Sequence, residues 1–527
     1  MTVRQMSPEA AKALLHYGCE VALLDVREAA AYGDGHALFA VHCPYSRLET
    51  TAVALVPRAD VPILLLDDGD DLSDRAAERL LSCGYRDVRV VEGGMKSWAR
   101  AGFGVFAGVN VPSKTLGELL EHAWHPRTID ARTLRQWQDE GRALKFFDAR
   151  PPAEYGKMKI PGARCLPNGE LAHRFAHAVG DDETPVVITC AGRTRGIVGA
   201  LGLAALGIGN PVYALENGTQ GWALEGLPLD RGTKPDPFPD LTEGERCISI
   251  RRARDLVRRT GLSKLSSERA TRLATEPGRT TYLFDLRTAE ERAERPCPGA
   301  VPVLAGQIVQ ATDQYVGVRH ARLIFVCDTG LRSGLSALFL RALGYETHVL
   351  ALDEEVELPQ VPARVFALPE TPPELSPTRA FAALARTGVV LVDVRPSQDW
   401  DAGHLQGAMW AVRPKLADAL PAGTGLVILH TPDPGVAAAA SQDIAEAGID
   451  VRWLAAGLDA CAQAGWSVVR DAPLSRKAAI DRVWFVHDRH DGNREASLQY
   501  LSWEMGLIAQ LDPQERAEFA EIERLRP

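Results

Sequence analysis

Four times along the 527-residue chain an apolar run ends in Asp-x-Arg. The copies are VALLDVR (Asp25, Arg27), LKFFDAR (Asp148, Arg150), YLFDLR (Asp285, Arg287) and VLVDVR (Asp393, Arg395). An internal repeat constrains the fold more than any bulk property, because each copy has to be the same packing unit. Each run reads as a buried strand: apolar, rich in β-formers and bounded by polar residues. A second run follows every copy: PILLLD ending at Asp67, PVVITC at Cys190, RLIFVC at Cys327 and GLVILH at His430. From the repeat aspartate to the end of the second run the separations are 42, 42, 42 and 37 residues.

After each second run comes an Ala/Leu-rich segment that ends at a glycine, as helix C-termini often do. The segments are SDRAAERLLSCG, RGIVGALGLAALG, SGLSALFLRALG and GVAAAASQDIAEAG, and a third short strand follows (VRVVEGG, PVYALENG, THVLALD, VRWLAAG). Ser7-Pro8 and Ser376-Pro377 are N-cap signals for a helix opening copies one and four, and Asp130 can cap one in copy two. Alternating strands and helices predict an α/β fold, each copy a small doubly wound parallel sheet of about 110 residues with helices on both faces. In such sheets ligands bind beyond the C-terminal strand ends, where the second run stops.

The predicted domains are 1–108, 125–232, 246–358 and 373–475, with a tail at 476–527. Residues 109–125, 230–245 and 358–374 read as linkers, the last two from their proline content. The tail segment ASLQYLSWEMGLIAQL has apolar residues at helical spacing and is expected to dock on a domain.

Net charge is −10, with no Lys/Arg run, which argues against nucleic acid or an anionic membrane as partner. No apolar stretch approaches the ~20 residues that span a bilayer, and no signal-peptide core opens the chain, so a cytoplasmic location is expected. The nine cysteines are irregularly spaced and contain no CxxC pair, against a disulfide framework or a zinc site.

Chemistry concentrates where strand, loop and helix meet. Copy two reads Cys190-Ala191-Gly192-Arg193-Thr194-Arg195 and copy three Cys327-Asp-Thr-Gly330-Leu-Arg332-Ser333, both Cys-x4-Arg. A loop of this kind can turn its N–H groups on one point, and the following helix adds its positive end. A cysteine there becomes a thiolate nucleophile, and the same cradle can hold an anionic sulfur. His487 and His490 lack a third ligand at metal spacing and read as a solvated loop. The Asp-x-Arg pairs read as architectural ties.

The pattern resembles the rhodanese family, whose active loop is Cys-x4-Arg-(Ser/Thr) after the central strand. The resemblance extends over residues ~5–475, through four tandem rhodanese-like domains. It includes Gly403-His404-Leu-Gln-Gly407-Ala408 in copy four and Ile160-Pro161-Gly162-Ala163 in copy two, where Lys159 replaces the usual histidine. It implies a sulfurtransferase. A small anionic donor such as thiosulfate would sulfurate Cys190, and cyanide, a thiol or a protein acceptor would remove the sulfur. Ala191 to Arg195 would cradle the donor and persulfide, with Arg193 and Arg195 binding its charge. Gly330, Arg332 and Ser333 would do the same at Cys327, a second site weakened by the neighbouring Asp328. Copies one and four, with Asp67 and His430 at the nucleophile position, would be inactive. No cofactor or metal is required.

Two other readings stand beside it. Cysteine phosphatases also use an anion-binding loop, but of Cys-x5-Arg length; the shorter loop here suits one sulfur atom. A non-enzymatic scaffold or sulfur-carrier hub is the other, motivated by the two copies without a cysteine.

Overall fold

The computed structural model describes residues 3–180, 183–352, 366–470 and 472–526. Two compact units divide the chain. One comprises Met1–Tyr17, Val21–Val109 and Arg364–Phe485, and the other Gly18–Glu20, Asn110–Ala363 and Val486–Pro527. Modules one and four thus share the first unit, and modules two and three share the second.

All four repeats build the same parallel sheet. Module two runs Thr128–Ile129, Val212–Leu215, Val186–Thr189, Lys145–Asp148, Arg164–Cys165 across the sheet. Module three repeats this order with Ser263–Lys264, Glu346–Ala351, Arg322–Cys327, Thr281–Asp285 and Val301–Pro302. In module one the order is Arg4–Met6, Val88–Val91, Ile63–Leu66, Val21–Asp25, Val41–His42. Module four has four strands in that order, and a parallel bridge from Glu374 to Trp453 stands where the fifth would be. The central strands are apolar between their ends because helices cover both faces; every residue of Val21–Asp25 and Arg322–Cys327 is buried.

The expected caps are present: Ser7, Asp130 and Ser376 accept the N–H groups of Ala10, Thr133 and Arg379. The Asp-x-Arg pairs are ties, and all four are built alike. In module two Arg150 makes two bonds to Asp148 (2.9 and 2.7 Å) and donates to the Met158 carbonyl at 2.6 Å. Arg27, Arg287 and Arg395 reach Gly35, Arg295 and Gly403 in the same way. A planar fork bonded to both the aspartate and that carbonyl fixes the loop at the C-terminal end of the strand in each sheet.

Three boundaries differ from expectation. Residues 109–125 are not a loose linker; Val111–Trp124 is a helix packed on the helix that follows the Cys190 loop. The amphipathic VPSKTLGELLEHAW carries it. The 230–245 linker runs into a second such helix, Glu243–Thr260, held by a Thr242/Glu245 capping box. The tail divides: residues up to Phe485 belong to the first unit, and only those from Val486 join the second. The end of module three and the start of the following linker, 353–365, lie outside the described residues.

Candidate active site at the Cys190 loop

Strand register decides which residue occupies the nucleophile position. In modules one to three the repeat aspartate pairs with the residue just before it: Asp25 with Leu66, Asp148 with Thr189, Asp285 with Val326. Asp67, Cys190 and Cys327 therefore stand one step beyond. In module four Asp393 pairs with His430 itself. The equivalent position is Thr431, not His430 as the apolar run suggests. Its hydroxyl accepts the Asp433 N–H at 3.1 Å, while His430 lies buried between Asp393 and the Ala456 carbonyl. The apolar run gives way to polar residues at His430 and Thr431, and only the pairing of Asp393 with His430 shows that the equivalent position is the second of them.

Cys190 is 2% exposed, between strand Val186–Thr189 and helix Thr194–Ala205. The N–H groups of Gly192 and Gly196 point at its sulfur. Burial pushes the thiol above its ordinary value, Arg195 and those N–H groups pull it down, and Glu504 adds to the rise. Ala191 is pinned through its carbonyl by the Gln220 backbone and side-chain N–H groups at 3.1 Å.

Both loop arginines are already paired. Arg195 donates through both terminal nitrogens to the two oxygens of Glu154 (2.7 and 2.8 Å), and Arg193 donates to Glu118 and Glu121 of helix Val111–Trp124. Burial opposes ionisation of Glu154, but Arg195 outweighs it and holds the carboxyl below its usual range. Burial pushes Glu118 up to about 7 despite Arg193. The Thr194 hydroxyl donates to Glu504 at 2.6 Å.

Glu504 and Tyr500 come from the tail helix Arg494–Met505, which lies on the loop. A Cβ on Gly192 would come within 2.9 Å of the Tyr500 ring and 3.1 Å of Glu504. The tail's amphipathic spacing signalled docking; nothing in it named the surface. His490 is half-buried beside Arg150, Glu154 and Arg195 rather than solvated, and burial lowers it to about 3, whereas His487 is exposed.

The Cys327 loop is built on the same plan. The N–H groups of Gly330 and Ser333 reach its sulfur at 3.1 and 3.5 Å, and Gly330 takes a φ of +80° that glycine adopts without strain. Burial and Asp328 both raise the thiol. Arg332, wholly buried, is bound by Asp328 (2.7 Å), Glu291 (2.7 Å) and Glu170 of module two (2.9 Å). His173, also of module two, sits 3.2 Å from the Thr329 hydroxyl inside the loop. His173, Glu291 and Asp328 could in principle ligate a metal. The Arg332 guanidinium bonded to both carboxylates supplies the positive charge there instead.

Module one shows what the loop attracts. The Asp67 carboxylate accepts the N–H groups of Gly69 and Ser73 at 2.8 and 2.9 Å. These stand two and six residues on, as Gly192 and Gly196 do from Cys190. The cradle is an anion site, filled in module one by its own side chain.

The rhodanese-like domain profile matches residues 7–101, 130–225 and 268–357, more than half of the chain. The chain belongs to the rhodanese family. Module four, beyond the profile's reach, carries the same parallel strand order. Over 99% of both chains, the structure superposes on thiosulfate sulfurtransferase from Pseudomonas aeruginosa with a TM-score of 0.90 at 35% identity. Curated relatives match one domain only. An HTH-type transcriptional regulator of Mycobacterium tuberculosis is 36% identical over 93 residues, 18% of this chain and 40% of that protein. A probable adenylyltransferase/sulfurtransferase of the same species is 29% identical over 101 residues, 19% of this chain and 26% of that protein. The rhodanese chain thus spans less than half the length of either. Among its described residues no helix is long and apolar enough to cross a membrane.

Proposed function

We propose that this rhodanese transfers sulfane sulfur through a persulfide on Cys190. What carries the reading is the Cys190 loop, in which a cysteine sulfur faces two backbone N–H groups at a helix N-terminus with Arg195 beside it. The end-to-end likeness to a thiosulfate sulfurtransferase supports the same reaction class.

The steps follow from the loop. The Cys190 thiolate attacks the outer sulfur of a donor such as thiosulfate. A new S–S bond forms, the donor's own S–S bond breaks, and sulfite leaves with the electron pair. The persulfide anion rests on the Gly192 and Gly196 N–H groups, as the Asp67 carboxylate does in module one. Cyanide or a thiol then attacks the outer sulfur and the Cys190 thiolate leaves. Because Arg193 and Arg195 are paired to carboxylates, their role in this reading is to balance charge around the loop, and the N–H cradle is the primary anion contact. Cys327, with Asp328 raising its thiol, is the slower of the two sites.

Intact-mass spectrometry after incubation with thiosulfate tests this on the wild type, Cys190→Ser and Cys327→Ser. The wild type gains one sulfur (about 32 Da), and Cys190→Ser loses that increment. A second, slower increment disappears in Cys327→Ser. A wild type that takes up no sulfur from thiosulfate or from a persulfide donor overturns the proposal.

A further inference from the structure

Module three carries a cavity of about 200 Å³ beside the Cys327 loop. Among the described residues its walls are helix Glu243–Thr260, the end of strand Glu346–Ala351 and Asp328, Thr329 and Gly330 of the loop itself. Gly330, whose N–H faces the Cys327 sulfur at 3.1 Å, sits against two of these walls. A Cβ on it would stand 3.7 Å from that of Ala253 and 3.3 Å from that of Ala351.

The floor is apolar and the rim is cationic. Ala253, Val349 and Ala351 are buried, and Val257 is half-buried. A dry apolar cavity of about 150 Å³ takes up benzene, so this one has room for a ring or a short chain. Arg254, Arg258 and Lys264 stand exposed around it. Arg258 pairs with Asp255 at 2.8 Å, whereas the side chains of Arg254 and Lys264 have no hydrogen bond or ion pair among the described residues. The carboxylate in the lining, Asp328, is already held by Arg332 at 2.7 Å and Arg246 at 3.2 Å. Two open cationic donors therefore stand over an apolar surface.

The same face is covered in module two. There helix Val111–Trp124 sets Gly117 against Thr194, as Ala253 is set against Gly330. Around Gly117, the Lys114 ammonium lies over the Trp503 ring at 5.6 Å, and Glu118 and Glu121 take Arg193. The tail thus lays an aromatic ring on this face and sets Glu504 beside it, bonded to Thr194. At the same spacing around Ala253 stand Ile250, Arg254 and Val257, all three facing the cavity. Where module two has Glu118 and a tail that brings rings and a carboxylate, module three has Arg254 and an open space.

We propose that this cavity binds a small amphipathic organic anion, a carboxylate on an aryl or alkyl body. The body lies on Ala253, Val257 and Val349, and the carboxylate meets Arg254 and Lys264. The proposal stands apart from the chemistry at Cys190.

Isothermal titration calorimetry of the full chain with phenylacetate and with hexanoate tests it. At least one of the two binds saturably with one site per chain. Its amide, which keeps the body and loses the charge, binds at least about fivefold more weakly. Acetate, which keeps the charge and loses the body, shows no binding at about 10 mM. Arg254→Glu combined with Lys264→Glu, at two exposed positions, weakens the acid by at least about fivefold and leaves the amide unchanged, which shows that the cavity itself is intact. The proposal fails if neither acid binds the wild type at about 10 mM. It also fails if the amide binds as well as the acid, if acetate binds as well as the longer acids, or if the doubly substituted chain binds the acid as the wild type does. Sulfur uptake at Cys190, followed by mass in the same samples, is unaffected by the two substitutions, so failure here is distinguishable from failure of the transfer reaction.

Discussion

Gly218 lies outside the Cys190 loop yet holds it in place. Its φ is +53°, and a Cβ there would collide with the Cys190 carbonyl oxygen. That carbonyl accepts the Thr219 N–H at 2.8 Å, so the strand end and the turn at 217–219 meet backbone to backbone. Gly218→Ala must either move the turn or distort the loop, at a cost of about 1–3 kcal/mol. Sulfur uptake at Cys190, timed by mass spectrometry, is expected to slow by about tenfold or more, since small displacements of reacting groups cost rate steeply. A variant with unchanged uptake would show that this close approach does not set the cradle. Asp67 makes the complementary point: a side chain that is itself an anion occupies the N–H groups that elsewhere face a sulfur.

The tail helix Arg494–Met505 covers a loop more than 300 residues away in sequence. Glu504 is 1% exposed and bonded to Thr194, and Tyr500 packs on Gly192. A buried carboxylate beside the nucleophile opposes thiolate formation, and the ring restricts approach. Tyr500→Ala with Glu504→Ala is expected to speed alkylation of Cys190 by iodoacetamide several-fold, read as carboxamidomethyl mass gain against a Cys190→Ser control. Alkylation at the wild-type rate would mean that the helix does not limit access. The helices Val111–Trp124 and Glu243–Thr260 play a related part, supplying Glu118 to Arg193 and Ser249 to Thr329.

The division of the chain joins modules one and four, whose nucleophile positions hold Asp67 and Thr431, and modules two and three, whose nucleophile positions hold Cys190 and Cys327. Each pair is locked by a buried arginine. In the second unit it is Arg332, held by Glu170 of the other module. In the first it is Arg413, 2% exposed, held by Glu49 of module one at 2.6 Å and by Asp443 at 3.0 Å. Breaking a buried pair leaves uncompensated charge, so Arg413→Ala is expected to destabilise the first unit by roughly 3–5 kcal/mol. Chemical denaturation should show an earlier transition, while sulfur uptake by Cys190 in buffer at 25 °C stays at the wild-type rate. Equal loss of both would mean that the two units do not unfold separately.

The local chemistry was legible in the chain. Four buried strands ending in Asp-x-Arg, the spacing to the second run that three of them share, the caps at Ser7, Asp130 and Ser376, and two Cys-x4-Arg loops at helix starts follow from periodicity, turn chemistry and the backbone's need for hydrogen bonds. These depend on near neighbours. Register was beyond reach in module four, because only strand pairing distinguishes Thr431 from His430. The partners of Arg193, Arg195 and Arg332 were equally hidden. An arginine in sequence looks like a free cation, and Glu118, Glu121, Glu154 and Glu170 reach it only once the helices have packed. The pairing of modules one with four and two with three, and the tail on the Cys190 loop, rest on complementary surfaces formed by residues hundreds of positions apart. Such contacts leave no periodic trace, so the loop's chemistry can be read from its own residues, whereas its charge balance and access depend on how distant segments pack.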